Sequence, residues 1–240
     1  MVRVLGIDTS GYINAIGVVD GEQVVADFSF AARADSLQKI VANIDFALRS
    51  ASLTLADIHG FGVGLGPGSW TGIRVGVTVA KMLAFSTNKP VCGLPTLEVL
   101  AYCARDRGAL VCAIIDAGAR DTVYAAFYRS QNGRLSRLGE YYVGDVAGLS
   151  RMIRGPVVLV GDVASRYREQ IAGEGGTSGN SITAVDTVPS GSAVALLAAQ
   201  RLERGEGDDA LSLTPLYLKE TTARVFRNKY LSRIPDEGGE

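Results

Sequence analysis

Along this chain, short runs of β-branched and apolar residues alternate with stretches whose apolar positions recur every three to four residues, the signatures of strands and amphipathic helices. Val2–Ile7 is the first run and Tyr12–Val19 the second. Asp20-Gly21 marks a hairpin before a third strand over Gln23–Phe30. A helix is predicted over Asp35–Ala51, capped by Asp35 or Ser36, with Leu37, Ile40, Val41, Ile44 and Leu48 on one face. Phe61–Leu65 reads as a buried strand, followed by a glycine-rich loop over residues 66–72 and a helix to about Ser86. Val91–Leu94 is a short strand, and Thr96–Arg105 a helix behind Pro95.

The pattern then starts again. Leu110–Ile115 is a strand ending in Asp116, Thr122–Tyr128 a second, and Leu135–Val143 a third beyond the turn Gln131-Asn132-Gly133. Asp145–Arg154 is a helix, Val157–Val160 a strand, and Val163–Ala172 a helix. Gly173–Ser181 is a loop, and Ser190 caps a helix from Gly191 to Arg204. The stretch LGIDTSGYINAIGVVDGE thus answers to AIIDAGARDTVYAAFYRSQNGR, with Asp8 and Asp116 at equivalent places. A duplication this long predicts two similar α/β lobes, 1–106 and 107–217, each a mixed sheet with flanking helices. Residues 218–240 form a basic, then acidic tail that either packs on the first lobe or stays outside it. Two lobes that each open with strand, Asp turn and hairpin describe the actin-like, sugar-kinase and Hsp70 (ASKHA) superfold, which does not by itself fix an activity.

Two features invite chemistry. Strand, glycine-rich loop and helix in succession make an anion-binding device, because N–H groups at a helix start carry positive potential. Asp8, Thr9, Ser10, Gly66, Gly68, Ser69 and Asp116 are the candidate nucleotide-binding set. Neither the P-loop nor the GxGxxG spacing is present, and turn-capping and tight packing account for the same residues. The helix after the loop is apolar almost all round. Arg74, Thr78 and Lys81 make one line, Gly72, Gly76, Ala80 and Ala84 a second, and Val75, Val79, Met82 and Leu83 a third. A neighbouring helix of the same chain or a partner subunit is expected to cover its back.

Composition narrows the chemistry further. The 240 residues carry a net charge of −1, so no global pull toward nucleic acid follows. Cys92, Cys103 and Cys112 are odd in number and lack CxxC spacing, as free thiols of a reducing compartment do. No signal peptide or membrane span fits, and a cytoplasmic protein is expected. The single histidine, His59, cannot supply a pair of imidazole ligands. There is no HExxH, and Ser69 is not in a GxSxG elbow, which disfavours a peptidase.

LGIDTS at 5–10, VGLGPGSWTGIRVG at 63–76, AKMLAF at 80–85 and PVCGLPTLEVLA at 90–101 resemble the bacterial TsaB (YeaZ) family, with weaker matches at 116–124 and 215–219. The resemblance implies an ASKHA fold and a non-catalytic scaffold or activator role in forming threonylcarbamoyladenosine next to the anticodon of ANN-reading tRNAs. Implied partners are a TsaD-type catalytic subunit and a TsaE-type ATPase, with homodimers when TsaD is absent. Pairing through the first two helices would place Leu37, Ile40, Val41 and Ile44, with Gly72, Val75, Gly76, Val79, Ala80 and Leu83, at the contact. No metal or cofactor is required, with ATP or ADP binding at the set above left open. Contact with tRNA is expected to be indirect or weak, and no membrane is involved; by their charge Lys219, Arg224, Arg227, Lys229 and Arg233 could reach a phosphate backbone, though a solvated tail is the favoured reading. The chain departs from the family in lacking a histidine over Ala32–Ser36 and in an Asp116 turn one residue longer. The alternative is a nucleotide-binding ASKHA enzyme, an ATPase or small-molecule kinase.

Overall fold

A computed structural model of the chain describes residues 2–32, 39–173 and 181–218. Among these, strands β1 (Arg3–Asp8), β2 (Ile13–Asp20), β3 (Gln23–Ala31), β4 (Gly60–Gly64) and β5 (Val91–Leu94) form one mixed sheet in the order β3-β2-β1-β4-β5. Strands β6 (Leu110–Asp116), β7 (Thr122–Gln131), β8 (Arg134–Asp145), β9 (Val157–Gly161) and β10 (Ile182–Asp186) form the second, in the matching order β8-β7-β6-β9-β10. In each, the central strand pairs antiparallel with its hairpin partner and parallel with the strand on its other side. Asp8 lies opposite Ala15, and Asp116 opposite Val123, so the two Asp turns are topological equivalents.

Helices α1 (Ile40–Ser50) and α2 (Trp70–Thr87) cover one face of the first sheet. Ile40, Ile44, Leu48, Ile73 and Val77 meet Leu5, Ile7, Ile16 and Val18 there. Helices α4 (Val146–Met152) and α5 (Ala164–Gly173) do the same for the second sheet, with Leu149, Tyr167 and Ile171 against Cys112, Ile114 and Leu159. The opposite faces are covered by exchange. Helix α3 (Thr96–Cys103), which follows the first sheet, lays Leu97, Leu100 and Ala101 on Val111, Ala113 and Val160 of the second. Helix α6 (Gly191–Glu203), which follows the second sheet, packs on the first. Its approach is backbone to backbone: a Cβ at Gly17 would collide with Ser192 N, and one at Gly191 with Gly17 N. A boundary at 106/107 therefore separates the sheets but not the helices that cover them.

The segment after α6 returns to the first lobe. Asp208 bridges Val91 at the β5 edge, and Leu216 N–H donates to Leu65 O at 2.8 Å. Strand β10, with the mixed sequence Ile-Thr-Ala-Val-Asp, has no counterpart in the expected elements. The expected caps Asp35 and Ser36, the candidate contact Leu37, most of the loop after Gly173, and the tail from Lys219 through Arg224, Arg227, Lys229 and Arg233 lie outside the described residues.

Candidate functional site

The Asp8 turn is sealed by its own chain. Asp8 sits at the end of the central strand and is fully buried. Its Oδ1 accepts from Ser10 N–H at 2.8 Å and Ser10 Oγ–H at 2.6 Å, while Oδ2 has no partner and lies against Gly64. Burial pushes the carboxyl up to about 6, and the bonds from Ser10 pull the other way. Thr9 donates its hydroxyl to Gly72 O at 2.7 Å, tying the turn to the first turn of α2.

Three donors of the glycine loop are engaged within the chain. Gly66 N–H bonds Thr96 Oγ1 at 3.1 Å, Ser69 N–H bonds Ser10 O at 2.6 Å, and Gly72 N–H bonds the capping Ser69 Oγ at 3.2 Å. A Cβ at Gly68 would collide with Ser10 O. Gly66 and Gly68, both at positive φ, serve a tight turn and close packing. Asp116 caps its own turn through Gly118 N–H at 2.8 Å and pairs with Arg166 at 3.6 Å. Between the lobes, Ser10, Thr96, Asp162 and Thr187 help to line a cavity of about 20 Å³, room for about one water molecule. Asp162 is half-buried, and burial raises its carboxyl pKa, while the hydrogen bond from Asp116 N–H pulls the other way.

The structure corrects the expected contact surface on α2. Gly72, Gly76 and Ala80 are buried, and a Cβ at Gly72 or Gly76 would strike Thr9. The small-residue line therefore faces the chain's own Asp8 turn and is not a partner surface. Ile40 and Ile44 are likewise core residues. Val75, Val79 and Leu83 are half-buried at the flank. What faces outward is Val41 at 61% exposure and Phe46 at 57% on α1, with Met82 at 66% and Phe85 at 73% on α2. Val75, Thr78, Met82 and Phe85 fall on one line of α2 at i+3 and i+4 spacing.

The polar line of α2 has a use the sequence did not disclose. Lys81 Nζ donates to Leu211 O at 3.0 Å and Leu213 O at 2.9 Å. Arg74 lies 3.9 Å over the Trp70 ring and donates to Tyr217 OH at 2.9 Å, and Trp70 stacks on Tyr217 with centroids 4.3 Å apart. These cations strap residues 211–217 across the helix. Tyr217 lies 143 residues from Arg74, beyond the reach of local pattern; its only signal is the weak PLYLK match. His59, the sole histidine, accepts from Arg3 N–H at 3.0 Å through Nδ1. Among the described residues, no three His, Cys, Asp or Glu side chains converge as a metal site would require.

Comparison with known proteins fits this architecture. The family model described as "TsaD: tRNA N6-adenosine threonylcarbamoyltransferase" matches residues 30–224. The chain is 30% identical over 227 residues to the tRNA threonylcarbamoyladenosine biosynthesis protein TsaB of Bacillus subtilis, covering 93% of this chain and 97% of that one. The structure of YeaZ from Pseudomonas aeruginosa superposes with a TM-score of 0.76 at 25% identity, covering 91% of this chain and all of that one. A ROK hexokinase from Thermus thermophilus shares the fold alone, with a TM-score of 0.52 at 14% identity over 85% of this chain and all of that one.

Proposed function

Because the chain belongs to the TsaB family of tRNA threonylcarbamoyladenosine biosynthesis proteins, we propose that it works there as a non-catalytic partner subunit, docking a TsaD-type catalytic protein through the outer faces of α1 and α2. The observation that supports this most is the exposed pair Met82 and Phe85, which continues the outward line of Thr78 on α2. Large apolar side chains are left in water on a helix whose other faces are covered by the sheet and the C-terminal strap. The Asp turns and the glycine loop favour the same reading, since Asp8 Oδ1, Thr9, Ser69 and Asp116 are engaged within the chain. In the absence of a TsaD-type protein the same line pairs with a second copy. A TsaE-type ATPase completes the assembly, the chain itself requires no cofactor, and the setting is the cytoplasm. The rival reading, an ATPase or kinase working in the cleft, has less support because the described cleft cavity is so small.

The test is reconstitution of tRNA modification from TsaD- and TsaE-type proteins, with and without this chain. Met82→Glu and Phe85→Glu, both surface changes, should cut association with the TsaD-type protein at least tenfold and leave stability within about 0.5 kcal/mol. Gly76 and Ala80 are unsuited to this purpose, because changes there disturb the chain's own packing. Unchanged association in both variants overturns the proposed surface. ATP turnover by the chain alone, lost in Asp8→Ala, overturns the non-catalytic role.

A further inference from the structure

A cavity of about 420 Å³ opens where α3, α6 and the tip of the β7–β8 hairpin meet, on elements not used by the docking line. Its size falls within the range of small-molecule sites, about 300–1,000 Å³. Glu98, in the first turn of α3, lines it. The carboxyl is half-buried, and that burial raises its pKa while Arg201, Arg137 and Arg204 act at longer range to lower it. Glu98 N–H donates to Pro95 O at 2.9 Å, but among the described residues neither an ion pair nor a hydrogen bond reaches its carboxylate.

The cations around it differ in how far they are already engaged. Arg201 donates to Gly93 O at 2.7 Å, Glu206 O at 3.1 Å and Asp208 at 3.3 Å. Arg204 grips Glu206 with two bonds of 2.8 Å. Arg134, at the hairpin tip, is exposed and makes no such bond among the described residues. One cavity therefore presents an unpaired carboxylate and an unpaired guanidinium, with Leu135 and Leu197 as apolar wall. Arg134, Arg201 and Arg204 line the cavity together with Glu98 and Glu206, so it presents charge of both signs. A carboxylate with no donor from the chain is open to one from a ligand, and such charge-assisted hydrogen bonds are the stronger ones.

We propose that this cavity binds a small molecule with an anionic group at one end, held by Arg134, and hydrogen-bond donors at the other, held by Glu98. A mononucleotide offers this chemistry through phosphate and ribose hydroxyls, and an α-amino acid through carboxylate and ammonium. Thermal unfolding of the full chain with AMP, with L-serine and with inorganic phosphate separates the sources. AMP or L-serine at saturation should raise the midpoint by about 3 °C or more, and phosphate alone by less than about 1 °C. A rise with AMP assigns the nucleotide, and a rise with L-serine alone the amino acid. Glu98→Gln and Arg134→Met should each remove the rise. Isothermal titration calorimetry at fixed temperature repeats the comparison, so a variant with a lowered midpoint still reports binding. If neither AMP nor L-serine binds, or if binding survives both substitutions, the assignment is wrong.

Discussion

The two Asp turns occupy the same place in a duplicated topology and meet opposite surroundings. Asp8 is sealed under Gly64, bonded only by Ser10, and clamped by α2 through Thr9 and Gly72. Asp116 lies nearer solvent, where it caps Gly118 and pairs with an exposed arginine. A duplicated backbone therefore preserves the turn without preserving what the turn does. In the first lobe the turn has become a packing joint between sheet and helix, whereas the second retains an ordinary surface turn. Sites defined by equivalence between lobes are unsafe guides to chemistry in such a molecule.

The largest expected effect comes from forcing the first joint apart. Gly72→Val drives a branched side chain into the Thr9 carbonyl, a rigid backbone atom. It should lower stability by about 4 kcal/mol or more in urea unfolding, and a loss below about 1 kcal/mol would mean the joint is loose. Next comes the Asp8 carboxyl itself. Its native value, about 6, lies above the ordinary 3.8, so the folded chain holds this proton more tightly than the unfolded chain does. The stability it contributes is complete below 3.8 and is lost as pH rises to about 6, roughly 3 kcal/mol in all. Asp8→Asn removes the charge, so its stability should gain on the wild type across that window in urea titrations. Parallel curves would refute the buried, unpaired carboxylate. Smallest is Asp116→Ala, which removes one turn bond and an exposed ion pair. The expected loss is about 0.5–1.5 kcal/mol by the same assay, and a loss as large as that of Gly72→Val would erase the contrast between the turns.

Most elements were legible in the sequence because strand and helix periods are local. β5 runs over Val91–Leu94 and Ser190 caps α6, both as expected, whereas Asp145, read as the first residue of a helix, caps it instead. Strand β10 escaped because Ile182–Asp186 has one buried residue and no alternation to read. Periodicity also grouped Gly72, Gly76 and Ala80 correctly on one line of α2. It could not say whether that line meets Thr9 or another protein, since spacing identifies a face and not its neighbour. Val41 was grouped with Ile40 and Ile44 although it turns outward, a consequence of the helix being narrower on its buried side than its apolar sequence. The strap and the exchanged helices depend on contacts between distant residues, and nothing in local pattern encodes them.

The exchange of α3 and α6 also sets a schedule for the chain as it is made. The first sheet is complete at Leu94, yet the helix that covers its second face ends at Glu203, roughly a hundred residues later. At about 5–20 residues per second, that sheet face waits on the order of 5–20 s for its lid. During that interval Val4, Val19 and Leu94 have of their later neighbours only Val99 and Tyr102 of α3 to meet, and the nascent first lobe leaves apolar surface open to aggregation.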